Sequence, residues 1–327
     1  MPSSNRHRAL GAVLLLAAGA YPQRVGAQQF PQGFAVERLY LAAPGAGWLV
    51  MDALDMHGGL GGAMSLSVGY ANNPLRVTDG SQRLAVISDQ GSADFGFAAT
   101  WDRWRFYLDL DIPLATSGES GMVGGYSFTS PSVNPGSNPD WVSDSRLGVD
   151  VRFLGGPASR FRLGAGAQLI VPNGSRSLYD SDGTFRGMVR VLFAGDVGLF
   201  TYAGQVGVHI RPLDDAPALG SPHGSELLFG VAGGAKLPVG RARRWAVIVG
   251  PELFGATAFR AFFGLNDTAL EGLISGRIEG TADDGMQLRI KLGGGAGIDQ
   301  RFGAPAWRAV IGIEVFGHRA AAMQSRP

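Results

Sequence analysis

The chain has 327 residues, 51 of them glycine and 18 proline, no cysteine, and a formal charge of +1 with histidine neutral. No apolar stretch reaches the about eighteen residues that a membrane-spanning helix needs, and near-neutral charge gives no case for nucleic acid as a partner. Chemistry that depends on cysteine, whether a disulfide framework or a thiolate, is excluded.

Residues 1–27 read as a secretory signal. Arg6, His7 and Arg8 precede the apolar run Ala9–Ala20, and Val25-Gly26-Ala27 is a small-residue cleavage site. The segment carries three arginines and no acid, so its removal takes the formal charge from +1 to −2. An exported chain without disulfides needs another device to hold it together, and a closed ladder of strands is one. Residues 28–61 show no clean period and form a lead-in, read as a plug or a periplasmic segment.

Twelve segments follow in which apolar and polar side chains alternate. In Arg103–Ile112, residues Trp104, Phe106, Leu108, Leu110 and Ile112 share one face, while Arg105, Tyr107, Asp109 and Asp111 share the other. The other segments are Gly62–Asn72, Ser92–Trp101, Arg146–Leu154, Ser159–Val171, Thr184–Gly195, Gly198–Arg211, Ser225–Leu237, Ala242–Leu253, Ala269–Glu279, Met286–Ile298 and Ala306–Phe316. The gaps alternate short and long. The long ones are rich in Gly, Pro, Ser, Asn and Asp, and Pro113–Ser145 is the longest. Segments of about ten residues with this asymmetry predict an all-β chain: a single antiparallel transmembrane β-barrel of about 12 strands, with 10 or 14 as alternatives, spanning 62–316 and followed by a tail, 317–327. Parity places both ends of the chain on the short-turn, periplasmic side. The aromatic residues Trp101, Trp104, Phe161, Phe200, Tyr202 and Trp245 lie beside the short turns on the lipid-facing parity, as an interfacial girdle. Phe316 closes the last strand one register off the lipid face.

The lumenal parity collects fifteen basic against nine acidic side chains. Candidate lumen-lining residues are Arg103, Arg105, Asp109, Asp111, Arg152, Arg160, Arg162, Arg186, Arg190, Gln205, His209, Arg244, Glu252, Arg289 and Lys291. An excess of Arg and Lys lowers the barrier to anions if the lumen is open. The same side chains knit the walls together if it is filled. The expected function is therefore porin-like passage of small solutes with anion preference; the alternative is a non-conducting barrel displaying loops. Change on the lumenal face, as in Tyr107→Arg, is expected to be mild.

Catalytic, cofactor and metal sites are not expected. There is no Gly-x-Ser-x-Gly, and His209 is the only histidine inside a mature strand. Asp180-Ser-Asp182-Gly183 lacks the remaining ligands of a calcium loop. Gly293–Gly297 lies within a strand, where glycine marks bending or close packing, not a phosphate loop. The expected partners are outer-membrane lipid, the barrel assembly machinery and small solutes.

Several stretches resemble the barrel domain of the OmpA-family, thrombospondin-repeat-containing outer-membrane proteins of myxobacteria and their relatives. They are Trp48-Leu-Val-Met-Asp-Ala-Leu-Asp55, Ile170-Val-Pro-Asn-Gly-Ser-Arg-Ser-Leu-Tyr-Asp-Ser-Asp-Gly183, Phe200-Thr-Tyr-Ala203 with Val208-His-Ile-Arg211, Gly224-Ser-Glu-Leu-Leu-Phe-Gly230 and Val249-Gly-Pro-Glu-Leu-Phe-Gly255. The resemblance implies an outer-membrane barrel and names no substrate. Family members commonly continue into calcium-binding repeats and a peptidoglycan-binding domain. Neither pattern occurs up to Pro327, so a wall-anchoring role is not carried over.

Overall fold

The computed structural model describes residues 33–134, 140, 142–213, 224–240, 244–264, 267–281, 286–299 and 303–319. The expected signal peptide, residues 28–32, Trp141, His223 and the tail beyond 319 lie outside them. The strands are β1 (Leu60–Asp79), β2 (Gln82–Trp101), β3 (Trp104–Ser117), β4 (Gly121–Val123), β5 (Tyr126–Phe128), β6 (Ser145–Leu154), β7 (Arg162–Val171), β8 (Arg186–Val197), β9 (Phe200–Ile210), β10 (Glu226–Val239), β11 (Trp245–Ala258), β12 (Thr268–Thr281), β13 (Gln287–Asp299) and β14 (Trp307–Arg319).

Twelve of these close into one antiparallel barrel. β3 pairs with β6, β14 returns to β1, and β4–β5 form a separate hairpin within the long loop. Closure leaves no unpaired strand edge, which is what the absence of disulfides demands of an exported chain. The register turns sequence parity into two surfaces. Phe106 faces Val149 and Leu108 faces Leu147 across β3–β6, while the alternate pairs are Arg105 with Asp150, Tyr107 with Gly148 and Asp109 with Arg146. Outward residues such as Leu66, Phe106, Val191, Ile274, Leu292 and Ile311 are exposed, and the buried set includes many charged groups, among them Arg105, Asp150, Arg162, Glu252 and Arg289. Among the described residues no helix is long and apolar enough to cross a membrane.

All twelve expected segments are present; the largest extensions lie at the long-loop ends, while at the short turns β7 and β11 begin at Arg162 and Trp245, three residues later than expected. β1 and β2 run on to Asp79 and Gln82 because Leu75, Val86 and Ile87 bury themselves in a cap at that mouth. The 113–145 loop contributes its hairpin to the same cap through Val123 and Phe128. β11 continues past Leu253 to Ala258, where Phe254, Ala256 and Ala258 turn inward and are buried. Phe316 points inward, buried, with the Arg289 guanidinium 4.6 Å above its ring.

Residues 33–59 run through the lumen, from the long-loop mouth at Gly33 to the short-turn mouth, where Asp102 N donates to Gly59 O at 2.8 Å. One expectation is corrected: Tyr107 is not a tolerant wall position. It is buried, accepts hydrogen bonds from Gln168 Nε2 at 2.6 Å and Arg190 Nη2 at 3.1 Å, and covers Gly148 so closely that a Cβ there would stand 2.0 Å from its ring. Leu108→Arg, on the outer face, should lower barrel stability by roughly 2–4 kcal/mol. Gly148→Val should also destabilise, by displacing Tyr107 from the inside. Urea titration of refolded protein, followed by the mobility shift on boiling, checks both; wild-type midpoints at either position contradict this register.

Candidate functional site: the lumen and its N-terminal strap

The lumen belongs to residues 33–59, and the wall grips them along their whole length. At the long-loop mouth, Gly33 O accepts from Arg176 Nε at 2.6 Å, and Ala35 N donates to Asp182 Oδ1 at 2.8 Å. Glu37 receives both terminal nitrogens of Arg308, at 2.8 and 2.9 Å, while Arg38 Nη2 reaches Glu226 at 3.0 Å. Leu41 O accepts from Arg146 at 3.0 Å. Lower down, Lys291 Nζ donates to Trp48 O at 3.0 Å, and Arg277 lies 5.0 Å over the Trp48 ring. At the short-turn end Arg105 pairs with Asp52 at 2.5 Å and Asp55 at 3.3 Å. Arg289 also reaches Asp55, at 3.4 Å, and Arg152 donates to the carbonyls of Leu54 and Met56 at 2.9 and 2.7 Å.

Glu252 supplies the central grip. Its Oε1 accepts from Leu49 N at 2.9 Å, and its Oε2 from Val50 N at 2.9 Å and Met51 N at 3.2 Å. Three consecutive amides converging on one buried carboxylate form a charge-assisted clamp on an otherwise irregular backbone. Around it Trp48, Leu49, Val50 and Met51 fill the barrel centre against Ile248, Phe254 and Leu273. Gly293 marks the closest approach: a Cβ there would stand 2.3 Å from Leu49 Cδ1. The glycines of β13 thus provide close packing, with no turn or ligand loop.

The lumen candidates sort into groups. Arg105, Arg152, Glu252, Arg289 and Lys291 hold the strap, and Lys291 is also paired with Glu314. Arg190 binds Asp150 at 3.1 Å and Gln205 at 3.0 Å. Arg162 binds Asp196 at 2.8 Å, and Arg186 binds Asp144 at 2.7 Å. Asp109 faces Arg146 at 3.3 Å, and half-buried Asp111 faces the one cavity beside the strap described below. His209 is fully buried, its Nδ1 3.3 Å from Glu226 and its ring edge-on to Tyr40. Arg103, Arg160 and Arg244 are corrections: they sit exposed at the short turns, outside the lumen. The girdle residues Trp101, Trp104, Phe161, Phe200 and Trp245 are exposed on the outer face, and half-buried Tyr202 donates its hydroxyl to Arg160 O at 2.9 Å.

Glu37, Arg38, Trp48, Asp52 and Asp55 are the functional residues that strand parity could not find, because they lie in the aperiodic lead-in. With three arginines leaving the lumen and three strap carboxylates entering it, the basic excess nearly vanishes.

Residues 172–185 and the end of the 113–144 loop close over the strap. Ser143 Oγ donates to Asp180 at 3.1 Å, and Asp182 accepts from Arg211 at 2.7 and 2.8 Å. Burial pushes both carboxyls up. Asp180, without a base beside it, is pushed up to about 6, while Arg211 and Arg186 reverse the effect for Asp182 and hold it well below the usual carboxylate range. Asp182 thus serves as an ion-pair hub between loop, β9 and strap, and is not a calcium ligand in this arrangement. A cavity of about 80 Å³ remains beside the strap, between Tyr40 and the wall of β1, β2 and β3. Its lining includes Glu37, Asp94, Asp111, Asp144 and Asp180, against Arg146, Arg186 and Arg308.

No family model matches the chain, and no curated protein matches it. Among solved structures it is similar to an outer-membrane channel from Pseudomonas putida F1, at 12% identity over 80% of this chain and 95% of that one, with a TM-score of 0.49. The NanC porin gives 8% identity over 78% and 99%, with a TM-score of 0.45. The CymD monoaromatic hydrocarbon channel gives 10% over 87% and 99%, with a TM-score of 0.44. These are likenesses between barrels and carry nothing about solute or gating; the OmpA-family resemblance gains no support beyond the barrel itself.

Glu252→Gln preserves volume but replaces one of the two accepting oxygens with an NH₂, which then faces at least one of the three amides, and removes the charge that assists the other bonds. It should lower barrel stability by about 3 kcal/mol and open residues 33–59 to added protease. Wild-type stability with an intact strap would show that the clamp holds nothing.

Proposed function

We propose that this protein is an outer-membrane channel for small solutes held shut by its own N-terminal segment. The outer surface supports the location: an uninterrupted apolar belt flanked by aromatics at the short-turn end suits a lipid bilayer. The strap occupying the lumen is the observation that carries the gating. It is held by polar contacts to the wall on many sides, Arg308 of β14 among them, but toward β1 and β2 it meets mainly small groups. Ser65, Ser67, Gly69, Ala71, Ser92 and Gly96 line that side, and the remaining cavity opens there. Displacement away from this sector extends the cavity into a path.

Selectivity depends on how far the strap moves. The path beside a seated strap faces more carboxylates than guanidinium groups and favours cations. Full release strips Arg105, Arg152, Arg289 and Lys291 of their strap partners and leaves an anion-attracting lumen. The expected anion preference thus belongs to the released state only. The second reading, a non-conducting barrel displaying loops, is favoured by the extent of ion pairing. No chemistry is assigned: His209 is engaged with Glu226 and Tyr40 as a wall residue.

The chain has no cysteine, so a tether can be added without competing thiols, although Gly45 at φ +79° takes a side chain with some strain. A Cβ on Gly45 would lie 3.6 Å from Ala63 Cβ, within disulfide range. In planar bilayers the intact protein should show brief openings from a closed baseline. The oxidised Gly45→Cys/Ala63→Cys protein should stay closed and recover on reduction. Openings unaffected by the tether rule out the strap as the gate; complete silence of intact, reduced protein favours the non-conducting reading.

A further inference from the structure

We infer that Gly33, the first described residue, lies at the cell's outer surface, so that the strap enters the barrel from outside and crosses it toward the periplasm. The inference rests on the reading above, in which the barrel spans the outer membrane with its long loops outside.

Contacts at the two ends of the strap fix its direction. At the upper end Gly33, Ala35 and Val36 bond to Arg176, Asp182 and Tyr179, all between β7 and β8, and Val36 N donates to Tyr179 O at 2.9 Å. Arg211, just past the upper end of β9, reaches Ala35 O. Phe34 and Val36 are buried in the apolar cap with Leu84, Val86, Val123 and Phe128, which belong to the long hairpin of β1–β2 and to the β4–β5 loop. At the lower end Gly59 O is bonded by Asp102 in the tight β2–β3 turn, and Leu60 pairs with Trp101 and Arg319. Twenty-seven residues, 33–59, therefore cross the barrel once, from the loop mouth to the turn mouth.

The strap crosses a lumen with little room beside it. A second segment would need a lane about 4.7 Å wide along the whole barrel. A cavity of about 80 Å³ lies beside the strap in the upper half, and the gap against Trp48 and Leu49 is too small for a water. Below the cavity the wall is in contact: a Cβ on Gly96 would stand 2.6 Å from Pro44 and 2.4 Å from Ser65 Oγ. Gly33 and the end of β14 thus face opposite sides of the membrane, where strand parity alone placed both ends of the chain on one side.

Three full-length proteins, each with one short epitope, test this in a Gram-negative host. The tags follow Gln28, interrupt the Gly124–Gly125 turn of the β4–β5 hairpin, or follow Pro327. Antibody binding is compared between intact and permeabilised cells. The Gln28 and hairpin tags should bind equally in both, and the C-terminal tag only after permeabilisation. A hairpin tag that binds on intact cells with a Gln28 tag that needs permeabilisation overturns the inference and leaves the membrane reading standing. A hairpin tag silent on intact cells overturns that reading, and the inference with it.

Discussion

A lumen full of arginine can be stable only if carboxylates or carbonyls meet the guanidinium groups, and in this protein many of those partners come from residues 33–59. Desolvating an unpaired charge costs several kcal/mol, more than most single contacts return. Arg105 exemplifies the dependence. It is almost fully buried on the wall, with Asp52 and Asp55 of the strap as its ion-pair partners. Wall and strap are each incomplete alone: the wall would keep buried guanidinium groups without partners, and the strap satisfies its own backbone only in part, as in Ala42 N to Leu49 O and Ala53 N to Ala46 O.

That incompleteness explains the form of the grip. An irregular segment buried in a barrel has amides and carbonyls that no ladder pairs. Glu252 takes three amides, while Arg146, Arg152 and Lys291 take carbonyls. The contacts bind backbone as much as side chain, so they fix the path of the strap with few demands on its sequence. Such an arrangement resists loss of any one bond, yet contact with small side chains along β1 and β2 leaves one side on which the strap is weakly held.

Alternation made the barrel legible in the sequence. Each residue from Trp104 to Ile112 lies on the side its parity assigned, and the outward aromatics near the short turns are where the girdle was expected. Parity failed where strands end. Arg103, Arg160 and Arg244 share the lumenal parity but sit in turns, where parity no longer fixes direction. It also had no purchase on residues 33–59, whose conformation is set by partners more than a hundred positions away. One trace was present: a lumenal excess of basic residues is a demand for acids, and Glu37, Asp52 and Asp55 stand just upstream in the aperiodic segment. Reading that excess as a pore property overlooked a covalently attached partner.

The central claim is that residues 33–59 are seated inside the barrel in the resting protein. Hydrogen exchange of the refolded, detergent-solubilised protein, followed by mass spectrometry of peptides covering 45–55, tests it most directly. The amides of Leu49, Val50 and Met51, bonded to Glu252, should exchange as slowly as those in the middle of β11 and β12, because opening them requires the strap to leave. Complete exchange of these peptides within seconds, with the barrel strands still protected, would contradict the account.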